Sequence, residues 1–493
     1  MSAETGLDRR LLAIASVVIL GAIMSILDTT IVNVAIRTLA RDFHSPLSTI
    51  QWVSTGYMLA LAIVIPITGW ASDRFGTKRL YMTSIALFLA GSALSGAAWS
   101  AESLIVFRVL QGLGGGMIMP VAMTILTRAS GPQRVGRVMS VIGVPMLLGP
   151  VFGPVLGGWL VDDFSWRWIF YVNLPIGALA LPLAWRILDA DSPQPAQRLD
   201  LLGLALLSPG LAGLVYGLAE TSSTGGVGSA RALIGLVAGA ALVVAFALHA
   251  RRASSPLLDL RLFEQRAFAA GAATTFLLGA ALFGAMILLP LYYQVVRGES
   301  ALSAGLLTAP QGLGAALAMP LSGRLTDRGG AGRVVLAGLA LVLIGTFAYT
   351  QLDQGSSYAL LAVSLLVRGM GIGATMMPAM SAAYQTLDQA SIARASSMLN
   401  IVSRIGGSIG TALLAVVLEQ RLRAAVPGSH GGLGEAAGAH AGPLVAGAFA
   451  TTFWWAFAMT AAAYFPAWLL PRIRRGPDAG AAERLRDAIS VEG

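Results

Sequence analysis

Gly69-Trp-Ala-Ser-Asp-Arg-Phe-Gly-Thr-Lys-Arg79 is a charged interlude between two apolar runs, one starting near Gln51 and the next near Leu80. Its glycines permit a tight reversal, and Asp73 is suited to meet helix N-terminal amides. Arg74, Lys78 and Arg79 give the connection the basic character of a cytoplasmic loop between membrane spans. The pattern returns later in the chain. Pro66, Gly69, Asp73, Arg74, Gly76 and Arg79 fall in register on Pro320, Gly323, Asp327, Arg328, Gly330 and Arg333. Further on, Arg137, Ser140, Gly149 and Gly153 fall on Arg394, Ser397, Gly406 and Gly410. A loop that is merely solvated has no reason to repeat with its flanking glycines in step, so two related halves are implied. Parallel repeats of this kind build alternating access around a midplane site.

Composition places these halves in a bilayer. Of the 493 residues 56% are hydrophobic and 12% charged, with a mean hydropathy of +0.73, whereas soluble domains carry about 25% charged residues. The net charge of +9 does not indicate nucleic acid, because the basic residues punctuate apolar stretches and form no continuous patch. The absence of cysteine removes disulfides, thiolate metal sites and cysteine nucleophiles together. There is no His-Glu-x-x-His metal motif and no phosphate loop. Gly406-Gly-Ser-Ile-Gly410 matches a hydrolase elbow in letters only, since it lies in a helical run without a strand before it. The chain is therefore not expected to be an enzyme, nor to need a metal or cofactor. The apolar run from Leu11 to Ile36 is too long for a signal-peptide core and reads as a retained first span.

With about 20 apolar residues needed per helical span, fourteen candidates start near Leu11, Gln51, Leu80, Ser103, Gly136, Trp166, Leu201, Arg231, Ala267, Ala301, Arg333, Tyr358, Arg394 and Val445. Placing the N-terminus inside puts most Lys and Arg residues in inner connections, as orientation requires. An even span count puts the C-terminus on the same side. The expected division is a six-helix bundle over 1–190, two inserted central helices over 191–256, a second six-helix bundle over 257–471 and a cytoplasmic tail over 472–493. Asp189 to Arg198, Glu220 to Ala230 and Pro427 to Gly442 read as loops. Leu257 to Phe268 suits a short interfacial helix.

Against this apolar background, charges inside spans stand out. Asp28 lies in Ser25-Ile-Leu-Asp-Thr-Thr-Ile-Val-Asn-Val-Ala35; an intramembrane carboxylate costs roughly 2.5 to 3.5 kcal/mol on insertion scales and faces a cavity or a partner. Arg108, on a span running the other way, reaches a similar depth at about 1.5 Å per residue, so the two are positioned to approach. A fixed ion pair and a proton-exchanging site are both open readings. Burial favours the neutral acid and a neighbouring guanidinium favours the carboxylate, and a site balanced between them titrates near neutral pH. Arg368 and Arg404 are deeper still, in a half whose spans contain no acid. Backbone carbonyls, Gln311 or Asn400 are structural partners for them, and a carboxylate or phosphate on a substrate is the alternative.

Between Gly143 and Gly158, Gly149, Gly153 and Gly157 recur at four-residue spacing on one helix face, allowing close helix approach, while Pro150 and Pro154 loosen the hydrogen-bond ladder. Gly158 extends the stripe. Met117, Met119, Met123, Met370, Met376, Met377 and Met380 suit either span packing or an adaptable cavity.

The Gly69–Arg79 stretch resembles the signature loop of the major facilitator superfamily, and Gly149–Gly158 resembles the antiporter motif of its exporters. Asp28-Thr-Thr-Ile-Val-Asn-Val-Ala35, Gln51-Trp-Val-Ser-Thr-Gly-Tyr57, Phe107-Arg-Val-Leu-Gln-Gly112, Trp166-Arg-Trp-Ile-Phe-Tyr-Val-Asn-Leu-Pro175 and Leu257-Leu-Asp-Leu-Arg-Leu-Phe263 are similar to segments of the fourteen-span drug:proton antiporter branch. The resemblance implies an all-α integral membrane fold with fourteen transmembrane helices. It also implies proton coupling at Asp28 and Arg108, with conformational switching at the two loops (Gly69, Asp73, Arg74, Gly76, Arg79; Gly323, Asp327, Arg328). A cavity lined from Asn33, Trp52, Tyr57, Gln111, Gln311, Arg368, Asn400 and Arg404 follows from the same likeness. The implied partners are a small-molecule substrate, protons and the lipid bilayer of the cytoplasmic membrane, with the proton motive force in place of a cofactor and no nucleic acid. The implied activity is efflux of amphipathic drugs. An exporter of an endogenous metabolite, amino acid or siderophore fits the same features, and a non-transporting receptor or scaffold is a more distant reading. The oligomeric state is left open.

Overall fold

A backbone surrounded by hydrocarbon has to satisfy its hydrogen bonds within its own segment, which leaves the helix as the form for long apolar runs. The computed structural model describes residues 9–130, 134, 138, 149, 152–153, 155–161, 163–190, 199–224, 229–253, 256–385, 387, 391–425 and 442–471. Among these, every regular element is helical. The first half contributes α1 (Arg9–Asp42), α2 (Leu47–Val64), α3 (Thr68–Phe75), α4 (Thr77–Gly96), α5 (Ala101–Ser130), α6 (Trp168–Tyr171) and α7 (Asn173–Ile187). Then come α8 (Leu201–Thr224) and α9 (Ala230–Arg252), followed by α10 (Arg266–Val295), α11 (Ala301–Gly329), α12 (Ala331–Phe347), α13 (Tyr358–Gly373), α14 (Met376–Tyr384), α15 (Ile392–Ala425), α16 (Gly442–Ala462) and α17 (Tyr464–Trp468). Eleven stretches of the described residues are long and apolar enough to cross a membrane. The helices Thr77–Gly96 and Ala301–Gly329 are not among the eleven. The span expected from Gly136 falls mostly outside the described residues.

The signature stretch differs from the turn expected of it. Residues 68–75 continue as a helix, and the reversal is compressed into Gly76, whose φ of +84° suits a residue without a side chain. Gly330 repeats it at the same φ, +84°. Asp73 accordingly sits in a helix, facing arginine side chains and not helix N-terminal amides. Two further departures are local. The stretch Glu220–Ala230 is helical as far as Thr224, and Thr221 returns its hydroxyl to the Gly217 carbonyl at 2.8 Å, which satisfies a polar side chain without leaving the helix. The interfacial segment is a single 3-10 turn, Leu260–Glu264, held down by buried Leu257, Leu258 and Leu262. The loop expected before Gly442, the tail beyond Pro471 and most of the Asp189–Arg198 connection lie outside the described residues.

The apolar cores show how the halves join. One large cluster takes in α1, α2, α4, α5, α7 and, from beyond the insertion, α10, α14 and α15. By contrast, Ile31, Leu39, Leu104 and Trp166 form a core of the first half alone, and Leu289, Tyr292, Tyr349 and Phe453 one of the second half alone. The separate cores lie at the end remote from Gly76. The described contacts between halves lie near the signature loop: a Cβ on Gly69 would meet the Arg394 backbone at 3.1 Å, and Ser396 Oγ donates to the Pro120 carbonyl at 2.9 Å. The α8–α9 hairpin lodges on the seam, with α8 against both α2 and α15. Gly213, Gly217, Gly235 and Gly239 let α8 and α9 approach backbone to backbone. Ser208 ties α8 to the Ile63 carbonyl at 2.7 Å, and Trp52 stacks on Tyr216 with centroids 5.9 Å apart.

Candidate functional site

Arg108 and Gln111 are three residues apart on α5 and so share a face. That face meets α1 at Asp28. Arg108 Nη1 donates to Asp28 Oδ2 at 2.6 Å and to Gln111 Oε1 at 2.8 Å, while Gln111 Nε2 donates to Asp28 Oδ1 at 2.8 Å. Arg108 Nε reaches the Val53 carbonyl at 3.2 Å, and its guanidinium lies over the Tyr57 ring, 4.0 Å from the centroid. Asp28 is 0% and Arg108 1% exposed. The Tyr57 hydroxyl, also buried, has no hydrogen-bond partner among the described residues. Both oxygens of Asp28 are therefore engaged, one by a charge and one by an amide. A proton on Asp28 would remove the charge that holds the Arg108 guanidinium, so the protonation state of the acid sets the strength of this ion pair.

The glycine stripe seats this acid. A Cβ at Gly149 would lie 2.2 Å from Ile26 Cγ2, at Gly153 2.0 Å from Thr30 Oγ1, and at Gly157 2.7 Å from Ile31 Cγ1. The three glycines thus press on α1 directly around Asp28. Gly158 has nothing within 4 Å of a built Cβ, and Pro150 and Pro154 are outside the described residues.

At the signature loop, Asp73 Oδ1 accepts from Arg128 Nη2 at 3.3 Å, and Asp73 Oδ2 lies 3.8 Å from Arg394 Nε. Arg394 belongs to α15, so this carboxylate joins the two halves. Arg74, Arg79 and Arg328 are exposed, Asp327 and Gly323 are buried, and Gly69 supplies the close approach to Arg394 described above.

In the second half, Arg368 is 2% exposed. Its Nη1 donates to Gln311 Oε1, and its Nε donates to Thr346 Oγ1 at 3.2 Å. Helix contacts identify its counterpart in the first half. Gly91 would place a Cβ 2.5 Å from the Gln111 amide nitrogen, and Gly345 one 2.5 Å from that of Arg368. Gly112 meets the Tyr57 carbonyl as Gly369 meets that of Gln311, and Gly116 meets Leu61 as Gly373 meets Ala315. Arg368 therefore corresponds to Gln111, Gln311 to Tyr57, and Leu365 to Arg108. On the facing helix, Gly149 and Gly153 meet Ile26 and Thr30, while Gly406 and Gly410 meet Phe276 and Ala280, so Asp28 corresponds to Leu278.

The remaining cavity residues scatter. Trp52 is exposed towards the inserted helix, Asn400 Nδ2 is spent on the Ser396 carbonyl of its own helix at 2.9 Å, and the side chain of Asn33 is outside the described set. Arg404, partly buried on α15, is an electrostatic neighbour of Tyr57 across the seam. Tyr57 and Gln111, cavity candidates from the sequence, are buried in the cluster around Asp28. Arg128, Thr346 and the role of Arg394 had no local signal; only the three-residue spacing of Gln111 from Arg108 was there to be used. Met119, Met123, Met376, Met377 and Met380 are all core residues.

A family model described as Major Facilitator Superfamily matches residues 18–411. Among curated relatives, a multidrug resistance protein B homolog of Mycobacterium tuberculosis is 47% identical over 415 residues, covering 84% of this chain and 77% of the relative. The multidrug export protein EmrB of Escherichia coli is 31% identical over 405 residues, covering 82% and 79%. Among solved structures, the human organic anion transporter MFSD10 superposes with a TM-score of 0.63 at 17% identity, covering 93% of this chain and 100% of that one. The proton:xylose symporter XylE gives 0.61 at 14%, covering 93% and 95%. At those identities the likeness is one of fold.

Proposed function

The chain belongs to the major facilitator superfamily, and on that premise we propose that it exports amphipathic drugs or toxic small molecules across the cytoplasmic membrane in exchange for protons. In this reading fourteen helices cross the bilayer with both termini inside, and two six-helix bundles rock about a central cavity. No cofactor takes part, and the proton motive force supplies the energy. The observation that carries the reading is the buried Asp28–Arg108–Gln111 cluster, in which a proton on the acid weakens its hold on a guanidinium. A proton arriving from outside neutralises Asp28 and loosens Arg108, α1 shifts against the glycine stripe that packs on it as the bundles rock, and release of the proton inside restores the ion pair. The multidrug names of the relatives support the direction and breadth of transport. A membrane potential of 100 mV supplies about 2.3 kcal/mol per charge moved, enough for one net charge to give useful accumulation.

The test is gradient-driven transport by purified protein in proteoliposomes, with internal pH followed on addition of substrate. Asp28→Asn, at equal incorporation, is expected to abolish both substrate movement and the coupled pH change while leaving substrate-driven exchange measurable. Full gradient-driven transport by Asp28→Asn removes Asp28 as the coupling site.

A further inference from the structure

In the first half Gln111 donates to a carboxylate that the protein itself provides. In the second half the same place on the matching helix holds a stronger donor, Arg368, while the position matching Asp28 is Leu278 and the one matching Arg108 is Leu365. A guanidinium carries five N–H donors; two of those on Arg368 have partners among the described residues, Gln311 and Thr346, both neutral. The acids of the second half that the structure describes, Asp259, Glu264, Glu299, Asp327, Asp353 and Glu419, lie towards helix ends or in connections, and Arg368 donates to none of them. A charge buried without an opposite charge is costly, and intramembrane guanidiniums mark substrate or ion pathways. Gln311, only partly buried, forms the accessible side of the cluster. Asp28, by contrast, already has its opposite charge within the protein.

We infer that Arg368 and Gln311 form an anion subsite, and that the preferred cargo is an amphipathic small molecule bearing a carboxylate, sulfonate or phosphate, which supplies the opposite charge that the described partners of Arg368 do not. This deepens, and rests on, the export reading above. Arg404, the other second-half guanidinium, is partly buried on the seam and adds positive field to the path such an anion follows. The inference carries a charge signature. One monoanion leaving as one proton enters moves two positive equivalents inward, so the membrane potential alone drives the exchange. One monocation leaving for one proton is electrically silent.

The test uses dansyl-glycine, its neutral amide and the monocation ethidium as probes, with the full chain. Binding to detergent-purified protein is read by energy transfer from tryptophan to dansyl. Dansyl-glycine is expected to bind about ten- to hundredfold more tightly than the amide, the range for a hydrogen bond to a charged group. In Arg368→Gln, which installs the first half's residue, that ratio is expected to fall to about one, and in Arg368→Lys to survive in part. A ratio near one in the wild type, or one unchanged in Arg368→Gln, overturns the subsite. If Arg368→Gln does not fold, a second arm on the wild type decides. In proteoliposomes clamped to a potential without a pH gradient, dansyl-glycine is expected to accumulate and ethidium not to; the reverse order overturns the inference. The two proposals fail separately. Proton-driven ethidium transport with a binding ratio of one leaves export standing and removes the subsite. A high ratio that Arg368→Gln abolishes, without gradient-driven movement of any probe, keeps the subsite and removes export.

Discussion

Gln111 gives its amide hydrogen to Asp28; Arg368, at the same place on the matching helix, gives its own to the side chains of Gln311 and Thr346. Around these residues the scaffolds agree closely. Gly91 and Gly345 approach Gln111 and Arg368 to the same built-Cβ distance of 2.5 Å, and Gly76 and Gly330 take the same φ of +84°. What differs is which half owns the acid. Duplicated backbones thus hold a self-neutralised cluster on one side and, on the other, a cation whose described partners are neutral, and it is on this difference that the proposed division of proton and cargo charge rests.

The most disruptive way to break the comparison is to give the first half the second half's residues. Arg108→Leu alone copies Leu365 but strands Asp28, and removing one partner of a buried pair costs about 3–5 kcal/mol. A large fall in the melting temperature of the detergent-purified protein is expected. Adding Asp28→Leu copies Leu278 as well and removes the stranded charge, so the double variant is expected to recover most of that loss, with gradient-driven transport absent in both. If the double variant melts no higher than the single, the pair is not balanced in the way the second half suggests.

A smaller effect tests the scaffold. Gly91→Ala and Gly345→Ala each force a methyl against a neighbouring backbone, and overpacking of this sort costs about 1–3 kcal/mol. Similar losses of thermal stability are expected at the two positions. A loss at Gly91 without one at Gly345 breaks the pairing of Gln111 with Arg368.

The signature loops are alike in backbone, and in the first of them Asp73 faces Arg394 from the other half. Without that carboxylate the closed end is held by fewer contacts. The chain has no cysteine, so Ser396→Cys, buried at this seam, serves as a single reporter. Adding Asp73→Asn is expected to raise its rate of maleimide labelling severalfold. An unchanged rate shows that the ion pair does not hold the seam.

Much of this architecture was legible in the chain. The paired loops pointed to two related halves, and the lone deep acid and Arg108 pointed to a contact that the structure places at 2.6 Å, because a charge in an apolar span has few ways to be satisfied. The glycine stripe disclosed a close approach but not the helix approached, since small residues record tight packing without naming the neighbour. That Gln111 and Tyr57 sit buried beside Asp28 and Arg108 could not be read in advance, because a polar residue on a span looks the same whether it faces water or a buried ion pair. The Asp73–Arg394 contact was invisible for a different reason: it joins residues far apart in sequence, and a charge in a charged loop carries no sign of its partner. The helical course of residues 68–75 was hidden by the glycine, which announced a turn seven residues before the chain makes one.

The inserted hairpin belongs to neither half and gives the smallest effect. Asp200 stands just before α8, where it accepts from Gly203 N at 2.7 Å and Leu257 N at 3.1 Å and contacts His249 Nε2 at 2.9 Å. Burial pushes its pKa up, but the hydrogen bonds from Gly203, His249 and Leu257 outweigh that and hold it below the usual carboxylate range. A carboxylate whose pKa is lowered on folding contributes stability that is fully present above the unfolded value, about 3.9, and is lost as pH falls through the folded one. Asp200→Asn keeps an acceptor for the Gly203 amide and gives up the charge, so a deficit of a few tenths to about 1 kcal/mol is expected at neutral pH. That deficit should shrink towards zero as the medium is acidified below pH 4, when melting curves of the two proteins in detergent are compared. A deficit that stays constant with pH assigns the loss to hydrogen-bond geometry and takes the charge out of the account. Because neither half has a counterpart of Asp200, transport by Asp200→Asn is expected to be close to that of the wild type, which separates anchoring of the hairpin from the chemistry divided between the halves.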